Sequence, residues 1–141
     1  MVDNERAKRN VATMKQEHVR TRTGLTQALN HLRNHDEAET VKLLAEVQNA
    51  LIAHVGREKR ALDEVAHKSA EFRPIHSASQ ESLEKILVTA IKFFKEVARG
   101  VLRGKELEFQ LNALSLSLAA RIAEEEKTGG IYDKYVKYYV E

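Results

Sequence analysis

Apolar residues recur at steps of three and four through nearly the whole chain, and that pattern leaves helix as the only consistent reading. One proline and six glycines interrupt it, and no alternating β-branched run competes with it. The first stripe runs Val11, Met14, His18, Thr21, Leu25, Ala28 and Leu32, then fails at Asn34-His35-Asp36, where Asp36 reads as the N-cap of the next helix. The second runs Leu44, Val47, Leu51, His54, Glu58, Leu62 and Val65 and breaks around Glu71-Phe72-Arg73-Pro74. The third runs His76, Gln80, Leu83, Leu87, Ala90, Phe94, Val97 and Val101, punctuated by Gly100 and Gly104. The fourth runs Leu107, Leu111, Leu114, Leu118, Arg121 and Glu125, and Gly129-Gly130 ends it. Ile131 to Val140 then predicts a short aromatic helix, with Tyr132, Tyr135, Tyr138 and Tyr139 as a plug over one end.

Long amphipathic helices joined by short links favour antiparallel neighbours. The expected fold is therefore all-α: one up-down-up-down four-helix bundle spanning residues 1–141, with a short C-terminal helix. The absence of cysteine excludes disulfides, thiolate metal sites and a Cys nucleophile. The net charge of +2 is the difference between 23 basic and 21 acidic residues, spread at helical spacings such as Glu81/Lys85, which describes a solvated surface. Lys8, Arg9, Arg20 and Arg22 have acidic neighbours, so no strong nucleic-acid footprint is expected. No apolar run approaches the roughly 20 residues that span a bilayer, and Met1 to Asn10 are charged, so the expectation is a cytoplasmic chain without a membrane span. Neither a nucleophile–base pair nor a phosphate loop stands out, and the chain is not read as an enzyme. A protein partner is compatible with this surface, as is either a monomer or a homodimer.

The informative feature is the set of seam positions where a bundle wants Leu or Ile and this chain has His18, His54, Glu58, His76, Gln80, Arg121 and Glu125. Counting from the turns near residues 36 and 103, at 1.5 Å per residue, places all seven within roughly 14 Å along the bundle axis, and within roughly 8 Å without His76. All four helices thus feed one polar layer. Buried ions and imidazoles need pairing, hydrogen bonds or a metal, since an unpartnered buried charge costs several kcal/mol. His54 and Glu58 stand one turn apart on one face, an arrangement by which bundles hold iron or manganese.

In these residues the chain resembles the hemerythrin-like (HHE) domains, iron-binding four-helix bundles. His18 matches that family's lone first-helix histidine, His54 and Glu58 its His-x-x-x-Glu motif, and His76 the first member of its third-helix His-x-x-x-His motif. Arg121-Ile122-Ala123-Glu124-Glu125-Glu126, followed by Ile131-Tyr132, is similar to its fourth-helix His-Ile-x-x-Glu-Glu segment. The resemblance implies metal ligation by His18, His54, Glu58, His76 and Glu125, with iron as the cofactor. Gln80 and Arg121 depart from it, for each stands where the family has a histidine, Gln is a poor iron ligand, and a guanidinium cannot coordinate.

Two readings of the layer stay open: a residual metal site, and a metal-free network in which the Arg121 charge replaces the ion. Ser77-x-x-Gln80 also reads as a capping box, which would leave His76 outside its helix, and Arg121/Glu125 as an ordinary i,i+4 pair at a fraying helix end. A second resemblance is to the regulator-of-sigma-D family, helical proteins that bind a sigma factor. It rests on His18-Val19-Arg20, Ala53-His54, Leu107-Glu108-Phe109-Gln110 and Leu118-Ala119-Ala120-Arg121. The functional expectations are accordingly an iron-binding or small-ligand-sensing domain, or a metal-free regulatory, signalling module that binds a protein partner.

Overall fold

A computed structural model describes residues 4–140; Met1 to Asp3, at the start of the charged Met1–Asn10 segment, and Glu141 lie outside them. Five helices follow in order: α1 (Glu5–Arg33), α2 (Glu37–Lys68), α3 (Phe72–Ala98), α4 (Gly104–Glu126) and α5 (Ile131–Tyr138). No strand occurs among the described residues. Links at residues 34–36, 69–71 and 99–103 are short, so successive long helices reverse direction. Helix α1 packs on α2 and α4, and α3 closes the ring against α2 and α4. No helix among the described residues is long and apolar enough to cross a membrane.

The turns form for local reasons. His35 takes a left-handed conformation (φ 61°) while Asp36 N–H donates to the His31 carbonyl at 2.8 Å, a Schellman-type stop that consumes an otherwise orphaned carbonyl. The Asp36 carboxylate then accepts from Glu39 N–H at 3.2 Å, capping α2 as expected. Buried Thr40 ties the two helices, its hydroxyl donating to the Ala28 carbonyl at 3.1 Å.

Two boundaries differ from the sequence expectation. Helix α3 begins at Phe72, not after Pro74, because Ser69 Oγ accepts from Phe72 N–H at 3.2 Å and Pro74 falls in the first turn, where its missing N–H costs nothing. The capping box at Ser77–Gln80 is therefore not used, and His76 lies inside the helix. At the other end α3 stops at Ala98, Gly100 turns left-handed (φ 72°), and the chain delivers Leu102 to the core while Val101 is 67% exposed.

The apolar core is divided. One cluster joins Leu25, Leu44, Leu51, Phe94, Leu107 and Leu111 towards the α1–α2 turn. The other joins Met14, Leu62, Val65, Phe72, Ile131 and Tyr135 at the opposite end, where α5 folds across. Between them along the seams come His18, His54, Glu58, Arg121 and Glu125, all buried.

Candidate metal centre

The layer is built by helix periodicity. His18 follows Met14 by one turn on α1, while His54 and Glu58 occupy successive turns of α2 between Leu51 and Leu62. Arg121 and Glu125 take the same relation on α4 after Leu118. The rings of His18 and His54 meet edge to face, with centroids 4.7 Å apart. One donor atom from each of His18, His54 and Glu58 falls within a 4.8 Å group, and all three residues are buried.

Each imidazole is gripped from behind by a carboxylate. His18 Nδ1 lies 2.6 Å from Glu126 Oε2, and His54 Nδ1 lies 3.0 Å from Glu17 Oε1, whose other oxygen is paired with Arg57. Carboxylates accept, so each Nδ1 carries a proton and each Nε2 turns to the interior. There, His54 Nε2 faces Glu58 Oε2 at 3.0 Å and His18 Nε2 faces Glu125 Oε1 at 3.1 Å. Burial holds His18 below the ordinary imidazole value despite the raising effect of Glu126, which keeps the ring neutral at pH 7.

The two acids split a proton between them. Burial raises Glu125, as do its hydrogen bond to Glu58 and that residue's charge, and its carboxyl is pushed up to about 9. Burial also acts to raise Glu58, but hydrogen bonds from His54, Glu125 and Tyr132 and the His54 charge outweigh it and hold the carboxyl at about 2. Glu58 is thus the anion of the layer and Glu125 the acid. One oxygen of Glu58, Oε1, is buried without an assigned donor among the described residues, an open acceptor that a proton or a cation satisfies.

Arg121 does not occupy the centre. Its guanidinium turns to α3, donating to Ser79 O at 3.2 Å and Ser79 Oγ at 2.9 Å, and touches the layer only through Glu125 at 3.3 Å. The pair is buried, not a fraying helix end. A small cavity of about 20 Å³ is lined by His18, His54, Glu58, Arg121 and Glu125, among others, room for about one water-sized body. Arg121 and Glu125 also line a surface cleft of about 490 Å³ between α3, α4 and α5.

Of the five predicted ligands, His18, His54, Glu58 and Glu125 come together. His76, expected as a ligand, does not: it lies further along the bundle axis, where its Nε2 is 2.6 Å from Asp63 Oδ1 and its ring stacks on Phe72. Gln80 is only partly buried, and its amide nitrogen finds no hydrogen-bond partner among the described residues. Glu17, Glu126 and Tyr132 were not foreseen. Tyr135 and Tyr139 do plug the bundle end, whereas the buried Tyr132 sends its hydroxyl into the layer, 2.9 Å from His18 Nε2 and 3.1 Å from Glu58 Oε2. Its ring lies parallel to His18, with centroids 5.5 Å apart. Comparison with known proteins gives no family model, curated sequence or solved structure that matches the chain.

Proposed function

We propose that the layer is a remodelled hemerythrin-like metal site that binds one transition-metal ion, iron in the first instance, through His18 Nε2, His54 Nε2 and the Glu58 carboxylate, with Glu125 as a further oxygen donor. One observation carries the reading: both histidines are oriented by outer carboxylates, Glu126 and Glu17, so that their inner nitrogens turn to the Glu58 and Glu125 carboxyls in one buried group. Carboxylate–histidine–metal triads use this arrangement to fix tautomer and raise ligand basicity. Two imidazoles and a carboxylate suit Fe(II) and Zn(II), and fewer protein ligands than a six-coordinate ion takes leave positions open to a small ligand. With Arg121 in place of a fourth-helix histidine, the site is mononuclear and serves iron-dependent sensing or storage.

The experiment is thermal unfolding of chelator-stripped protein with and without Fe(II) under anaerobic conditions. Ion at 100 times its Kd stabilises by about 2.7 kcal/mol, and at this chain length that raises Tm by roughly 5–10 °C. A transition unmoved by Fe(II), Co(II) or Zn(II) sinks the proposal.

A second reading, the metal-free regulatory module, has its own observation. Gln48, Leu51, Ile52, Val55, Ile91 and Phe94 are among the residues lining an apolar groove of about 170 Å³ between α2 and α3, and Ile52 and Ile91 stand exposed beside it. Such a groove is the kind of surface a helical partner covers. It predicts full stability without metal and an Ile52→Asp variant that folds yet loses its partner.

A further inference from the structure

Helix α4 places an arginine where the layer needs a donor, and α5 brings another donor to the same place. Five atoms, His54 Nε2, Glu58 Oε2, Tyr132 OH, His18 Nε2 and Glu125 Oε1, follow one another at 3.0, 3.1, 2.9 and 3.1 Å. Donors bonded at about 2.1 Å to one ion, at right angles to each other, stand about 3 Å apart, so atoms held at these hydrogen-bond spacings are close enough to become adjacent ligands of one ion. The Tyr132 oxygen is the middle atom of the series and touches a predicted ligand on either side.

We infer that Tyr132 is itself a metal ligand, its phenolate oxygen completing a His18–His54–Glu58–Tyr132 donor set that selects Fe(III) over softer ions. This rests on the metal reading above and adds to it the identity of a donor and the preferred oxidation state. Phenolate is a hard, anionic oxygen, the type that suits ferric iron, and it ligates haem iron in catalase for the same electronic reason. The phenol proton leaves to solvent as the bond to iron forms, and no electron is transferred in that step. The mechanical support is local. Gly130 has no Cβ, and one built there would come within 2.5 Å of the Glu124 carbonyl oxygen and 2.9 Å of that of Glu125. Only glycine lets the end of α4 and the start of α5 approach this closely, which is what aims Tyr132 back into the layer. The parallel stacking of its ring on His18 fixes the angle.

The test is to load the full chain with Fe(II) anaerobically, oxidise it in air, and measure iron content, visible absorption and resonance Raman on the same sample. The expected result is a phenolate-to-iron charge-transfer band that enhances tyrosinate ring modes, and its loss in Tyr132→Phe while iron content stays within about twofold. Should Tyr132→Phe fail to fold by circular dichroism, the band should persist in Tyr135→Phe, Tyr138→Phe and Tyr139→Phe, assigning it to the remaining tyrosine. Bound ferric iron without such a band, or a band that survives in folded Tyr132→Phe, overturns the inference and leaves the metal site standing. Absence of iron in the elemental assay overturns both, and is read before any spectrum is taken.

Discussion

Replacing Glu126 by alanine removes the anion that holds His18 Nδ1 at 2.6 Å and leaves the three proposed metal donors themselves unchanged. Outer carboxylates of this kind contribute 10- to 100-fold in metal affinity, or about 1.4–2.8 kcal/mol. Glu126→Gln keeps an acceptor oxygen but loses the charge, so its effect should fall near the tenfold end and Glu126→Ala near the hundredfold end. The fold itself should lose no more than about 1 kcal/mol, because the Glu126 side chain is a quarter exposed and its ion pair is partly screened. The assay is competition against a chelating dye with Zn(II), which removes redox chemistry from the measurement, alongside urea unfolding of each variant. Affinities that agree within twofold among wild type, Glu126→Gln and Glu126→Ala, in variants that unfold like wild type, refute the argument that the carboxylates orient the imidazoles for a metal.

Three further outcomes follow from the same geometry. In metal-free protein the raised Glu125 carboxyl holds a proton that the unfolded chain, at its ordinary value of 4.5, has lost, so that contribution is complete below 4.5 and disappears as pH rises through about 9. Stability should therefore fall by up to about 1.4 kcal/mol per pH unit between about pH 4.5 and about pH 9 and level off above that, a slope that Glu125→Gln abolishes in chelator-treated unfolding curves. The lowered Glu58 carboxyl has the opposite sign: its contribution stands above 4.5 and is lost as pH falls through about 2, visible in acid unfolding as a midpoint shift on Glu58→Gln. Gly130→Ala, whose added carbon meets backbone and not a movable side chain, should cost on the order of 1–3 kcal/mol and speed hydrogen exchange selectively in α5.

Much of this layer was legible in sequence because helical periodicity converts spacing into direction. Any seam residue on a long amphipathic helix points inward, and counting 1.5 Å per residue from the turns gives its level. That logic brought His18, His54, Glu58, Arg121 and Glu125 to one layer, but it also counted in His76, which pairs with Asp63 instead. It failed where side-chain reach or a chain reversal decides. Glu17 and Glu126 lie off the seams, each directly beside a seam residue, His18 or Glu125, and reach the rings only because a glutamate is long; the available signal was an acidic neighbour at the level of a buried histidine. Tyr132 follows a Gly-Gly turn whose path back towards the layer depends on the close approach at Gly130, which no periodicity encodes. Likewise Val101 and Leu102 exchange places because a left-handed residue at Gly100 ends the helical phase on which Val101 was assigned.

The most direct test of the central claim is elemental analysis of the protein purified from iron-supplemented culture, paired with His54→Ala prepared identically. The account predicts close to one iron per chain, absent from the variant while its helical content is retained. Protein free of any metal, whose Tm is the same with and without chelator, would contradict it.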